Sequence, residues 1–313
     1  MANKPEHLYK YLTFSENTLN LLCMQQAYYS DPSQFNDPLD CQPIVANDLE
    51  LAQLRDVFSS VLLKKMEKQF AASLKKLKFS KEKAAQRAYL LANSEVERAI
   101  SNFEYYATEF EQDMQANYLT NSYTRVIQEE IVNTFKKGVL CLSKKFNSPL
   151  MWSHYANQHK GICIEYDMRT VKNELVHEVI YGESRKILTS EIKAWLDNTE
   201  NESRIKNVCL LTKSGEWRYE SEWRIFGPVG LGNSLPPIKS VIFGFKCPDV
   251  TIYTVMKAMM SDKRKMKFWK MANEGDGFDL KRKLINTDDY FESMPYIYSV
   301  SEIDLEDEEF HLD

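Results

Sequence analysis

The sequence predicts an α+β fold whose core is interrupted by a large all-helical insertion. Three observations predict it: where Gly and Pro fall, a long block of helix-forming residues, and short aromatic or β-branched segments flanking that block. All ten glycines lie at Gly138 or later, and no proline occurs between Pro43 and Pro149, so 44–137 holds neither helix breaker. Leu, Ala, Glu, Lys and Gln dominate that block and lose little entropy in a helix. The division expected is a discontinuous core from 1–43 and 138–295, a helical insertion at 44–137 and an acidic tail at 296–313, where Glu302 to Glu309 has six acidic residues in eight.

In chain order, HLYKYLTF reads as a strand, Ser15 to Gln25 as a short helix capped by Ser15, and QAYYS as a second strand. Within the insertion, Leu51, Leu54, Val57, Phe58, Val61 and Leu62 share one helical face, and Ala88, Leu91, Val96, Ile100 and Phe103 another. GVLCLS is the next strand. Pro149 to Gln158 follows as a helix with its proline in the first turn, where a missing N–H costs nothing. GICIEYD, LVHEVIY, EWRIFG and IKSVIFGF are further strands, Asp249 to Ser261 a helix and KMKFWKM a last strand.

Forty Lys+Arg against 45 Asp+Glu give a formal charge of −5, which disfavours a general polyanion binder. Charge is nevertheless segregated: Lys64 to Arg87 has nine basic and two acidic residues, Glu95 to Asp113 six acidic and one basic. Antiparallel helices with complementary solvated faces explain this, as does a basic face for nucleic acid or an acidic partner. No run of roughly 18 apolar residues exists, and MANKPEHLYKYLTF lacks a signal-peptide layout, so a cytoplasmic protein without membrane contact is expected. The six cysteines form no C-x-x-C pair and read as reduced, mostly buried thiols. Gly227, Gly230 and Gly232 lack dinucleotide-fingerprint spacing, and His154 and His159 would stand about 140° apart on a helix, so neither a Rossmann turn nor a metal site is expected.

Four segments carry more than generic core composition: Leu8-Tyr9-Lys10-Tyr11; Tyr28 to Pro32 continuing into Phe35-Asn36-Asp37-Pro38-Leu39-Asp40-Cys41; Met151-Trp152-Ser153-His154-Tyr155-Ala156 with His159 to Ile164; and Trp217-Arg218-Tyr219-Glu220-Ser221-Glu222-Trp223-Arg224. With these motifs the chain resembles a widespread bacterial family catalogued only as a domain of unknown function. Their order also resembles the ADP-ribosyltransferase superfamily. That resemblance implies a split β-sheet core, NAD as co-substrate, and transfer to a protein or nucleic-acid acceptor by a toxin or phage-defence effector.

By the same resemblance, Gly138 to Ser143 is the second-motif strand, with Ser143 at its end. Tyr155 stacks on nicotinamide, Glu222 is the catalytic glutamate and Glu220 lies nearer the acceptor. Tyr9, Lys10, Tyr11 and Arg224 fall on the cofactor side, with Lys10 or Arg224 on the pyrophosphate, and Phe35, Asn36 and Asp37 form a loop closing over it. The chemistry suits these residue types, because a carboxylate stabilises the positive charge that develops on ribose as the nicotinamide bond breaks. Strand alternation places Glu220 and Glu222 on one face.

Each residue also has a plainer reading. Tyr9 and Tyr11 alternate like core residues, Asn36-Asp37-Pro38 reads as an Asx-type turn, and Glu222 reads as one half of a strand-to-strand ion pair with an arginine. Two other functions fit the sequence. One is a non-catalytic module for a nucleotide or partner protein; the other is a metal-dependent nuclease built on Asp37, Asp40, Glu220 and Glu222.

Overall fold

The block free of helix breakers folds as three long helices, Leu51–Lys76, Lys81–Ala107 and Gln112–Phe135. In this computed structural model the described residues are 4–198, 200–233, 235–260, 266–273 and 277–293, so the acidic tail expected at 296–313 lies outside them. Leu54, Val57, Phe58, Val61 and Leu62 are buried as their spacing predicts, and they meet Val96 and Ile100 of the second helix and Tyr123, Ile127 and Ile131 of the third. Phe58, Phe103 and Tyr123 form a ring trio with centroids 4.7 to 5.9 Å apart, one ring from each helix. Leu91 departs from expectation and stays 38% exposed, because the buried line of that helix runs through Ala84, Ala88 and Ala92, four residues apart.

The described residues divide into two compact units. The first comprises 4–8, 24–145 and 168–236; the second, 9–23, 146–167 and 237–293. The three long helices fall in the first unit together with the helices Thr189–Asn198 and Glu202–Leu210 rather than in a unit of their own. Its antiparallel ladder places the strand Glu222–Gly227 between Gly138–Ser143 and Val176–Glu178. Ile44–Ala46 pairs in parallel with Lys186–Leu188, and Ile180–Tyr181 with Thr212–Lys213.

The second unit carries most of the strand His7–Leu12, then Ile162–Asp167, Ile238–Phe243, Lys267–Asn273 and Leu280–Leu284, in that lateral order. Its sheet is mixed, with Ile238–Phe243 antiparallel to Ile162–Asp167 and parallel to Lys267–Asn273. The helix after Ser148 ends at Tyr155, three residues short of the expected Gln158, because Asn157, Gln158 and His159 are all left-handed. That turn carries the chain back so that His159 stacks on Trp152. No described helix is long and apolar enough to cross a membrane.

Candidate functional site: a buried five-charge cluster

The segment that carries Glu220 and Glu222 is not a continuous strand. Gly215–Glu220 is a 3-10 helix, Ser221 is left-handed with φ 46°, and the strand opens only at Glu222. Alternation therefore does not set the two carboxylates side by side, as the sequence reading assumed; the left-handed Ser221 does. Ser143 fixes the turn. Its Oγ donates to the Glu220 carbonyl at 2.6 Å and accepts from the Lys145 N–H, and Ser143 stands opposite Glu222 in the strand register. The Glu222 N–H donates to the Tyr181 hydroxyl at 2.8 Å.

Both carboxylates turn inward to cations. The Lys213 Nζ lies 2.5 Å from Glu220, 3.0 Å from Glu222 and 3.3 Å from Asp40. Arg224 forks onto Glu222 through Nε at 2.9 Å and Nη2 at 3.1 Å, and Nη2 also reaches Asp40 at 2.6 Å. Its Nη1 donates to the Leu210 carbonyl at 2.7 Å and to the Cys41 sulfur at 3.1 Å. These contacts use all five guanidinium donors, and the side chain is 0% exposed. Phe35 covers the guanidinium with its ring centroid 5.7 Å away, and Trp217 covers Lys213 at 5.2 Å.

Three carboxylates against two cations, all with side chains at most 5% exposed, leave one formal negative charge inside the protein. Burial opposes ionisation of Glu222, but Arg224 and then Lys213 outweigh it and hold its carboxyl down to about 2. Burial also opposes the charge on Lys213, and Glu222, Asp40 and Glu220 together raise its pKa above the ordinary lysine value. The Cys41 thiol, desolvated by burial, is pushed up to about 12. It packs as a neutral group.

The structure revises several expected roles. Arg224 is enclosed with every donor engaged, so its contacts are those of a core ion pair rather than of a pyrophosphate ligand. The loop from Phe35 is tied to that guanidinium through Phe35, Asp40 and Cys41, while the Asp37 Oδ1 accepts from the Leu39 N–H in an Asx turn and Asn36 is exposed. Asp40, Glu220 and Glu222, weighed above as metal ligands, converge on Lys213 instead. Among the described residues no group of three or more His, Cys, Asp or Glu is arranged to hold a metal.

Tyr9, Lys10, Tyr11 and Tyr155 belong to the second unit. Tyr11 meets Trp152 edge-on at 5.2 Å, and Tyr9 lies 5.4 Å from Phe146. Burial raises the pKa of both hydroxyls, that of Tyr9 to about 12. Both tyrosines are core side chains; Lys10 and Tyr155, the last residue of its helix, are half-buried. Lys213 and Tyr181 escaped the sequence reading because each sits on a two-residue strand outside the four motifs and meets the cluster only in space.

No curated protein and no solved structure matches the chain. The four charged residues Lys213, Glu220, Glu222 and Arg224 nevertheless lie inside residues 151–225, which match the model of a family described as a protein of unknown function (DUF2971).

Proposed function

We propose that the chain is an NAD-using transferase of the ADP-ribosyltransferase type, moving ADP-ribose to a macromolecular acceptor, protein or nucleic acid, from a split-sheet core. The observation that carries this reading is the pairing of Ser143 with Glu222, which sets a serine-ended strand beside a strand opening with glutamate, as the resemblance implies. On this reading Glu222, ionised at neutral pH, stabilises the positive charge on ribose as nicotinamide leaves, and Glu220 faces the acceptor. Glu222 already accepts from Arg224, Lys213 and the Cys141 thiol, so a ribose hydroxyl must displace one donor. The thiol is the weakest of them.

The test is nicotinamide release from NAD, with a cell lysate as acceptor pool, by wild type and by Glu222→Gln. Release by the wild type alone is expected, measured below the melting temperature of both proteins because the variant also loses ion pairs. A wild type that releases no nicotinamide and gains no melting temperature from NAD overturns the reading. The closure of Arg224 and Glu222 against solvent favours a second reading, a non-catalytic module that binds a nucleotide or partner protein. It predicts saturable binding without release.

A further inference from the structure

The far end of the strand pair that carries Glu222 and Ser143 has different chemistry. Where Gly227 pairs with Gly138, an open groove of about 390 Å³ is lined by Lys136 and Lys137 from one chain segment and by Phe226 to Val229 from another. A Cβ on Gly138 would stand 2.6 Å from the Pro228 carbonyl oxygen, so the two segments meet backbone to backbone. Six-residue strands separate this groove from Glu222 by about 17 Å.

Its walls combine the Phe226 ring with the charge of Lys137. His177 packs on Phe226 with ring centroids 5.3 Å apart and 33° between planes. Burial, then Lys206, then Lys137 depress the His177 pKa, so both lysines act on that ring. Lys136 is paired with Asp31 at 2.8 Å. Among the described residues, Lys137 and Lys206 make no ion pair. Lys136 and Lys137 follow the helix Gln112–Phe135 and complement its C-terminal dipole, which accounts for their position. It does not account for the ring pair.

We propose that this groove binds a phosphorylated nucleoside, with the base against Phe226, which His177 backs, and the phosphate on Lys137. A volume of about 390 Å³ falls in the range of small-molecule sites, and stacking on an aromatic side chain combined with a lysine on phosphate is how bases are held without sequence readout. A free mononucleotide and the end of a single strand share this chemistry. The proposal does not rest on NAD turnover.

Titration calorimetry on the full chain tests it with 5′-AMP, adenosine, inorganic phosphate and a short single-stranded DNA. Binding of AMP identifies a free nucleotide as the source, and binding of the oligonucleotide without AMP identifies a strand; either supports the site. Adenosine and phosphate alone are each expected to bind about tenfold more weakly or worse, since each keeps only one of the two contacts. Lys137→Glu, on an exposed side chain, is expected to weaken the bound probe by at least about tenfold with an unchanged circular dichroism spectrum. Nicotinamide release by that variant stays at the wild-type level if the wild type releases it, which separates this site from the Glu222 cluster. Absence of binding by both AMP and the oligonucleotide, or undiminished binding by Lys137→Glu, overturns the proposal.

Discussion

Each unit buries a carboxylate on a strand and neutralises it with an arginine and a lysine, but the two clusters are closed to different degrees. In the first unit Arg224 and Lys213 are themselves 0% and 5% exposed, and they serve three carboxylates at once. In the second, Glu165 is 1% exposed, yet its partners Arg282 and Lys239 are 24% and 40% exposed, and Ser240 supplies a further donor at 2.5 Å from the facing strand. Arg282 is also sandwiched between Phe146 and Trp269, with its guanidinium 4.7 and 4.6 Å from the ring centroids. Water can take over what Glu165 gives its cations. It cannot reach Arg224. A buried ion pair is therefore costly to break where both partners are sealed, and much less so where one partner keeps its hydration.

The largest effect is expected from Arg224→Ala, which strands Asp40 and Glu222 with too few donors and should cost about 3–5 kcal/mol in urea unfolding. A loss below about 1 kcal/mol would show that water enters the first cluster and would erase the contrast. Lys213→Met should come next at about 3 kcal/mol, since three carboxylates lose a shared cation while Glu222 and Asp40 keep Arg224. Glu165→Gln should cost only about 1.5 kcal/mol because its cations reach solvent. A cost equal to that of Arg224→Ala would mean that partial exposure does not cushion the loss.

Acid sharpens the same comparison. The folded-state pKa of Glu222, about 2, lies below the ordinary glutamate value of about 4.3. Its contribution is thus complete above that ordinary value and is lost as pH falls through it toward about 2. Glu222→Gln should flatten the acid limb of the stability profile over that window, and a limb as steep as the wild type's would place the titrating group elsewhere. Lys137→Glu, outside both clusters, should move stability by no more than about 0.5 kcal/mol.

Backbone architecture was legible in the sequence to the extent that local chemistry dictates it. The absence of Gly and Pro over 44–137 fixed the helices, and the aromatic and β-branched runs GVLCLS, GICIEYD, EWRIFG and IKSVIFGF all became strands. What stayed hidden were left-handed L-residues and long-range electrostatic partners. Asn157 and His159 are of types that tolerate a positive φ, but nothing announces a run of three with Gln158 or the turn at Ser221; the first ends a helix early and the second sets the relation of Glu220 to Glu222. Arg224 and Asp40 could be read as members of motifs, but that Arg224 and Lys213 share Asp40 and Glu222 depends on residues up to 184 positions apart. The arginine expected to reach Glu222 from a neighbouring strand is instead Arg224, two residues along the same strand, and the cation that crosses from another strand is Lys213.

The most direct test of the functional account is nicotinamide release from NAD by wild type and by Glu222→Gln at a temperature where both remain folded. The account predicts release by the wild type and none by the variant. Equal release by the two proteins, or a wild type that binds no NAD and releases nothing, would contradict it.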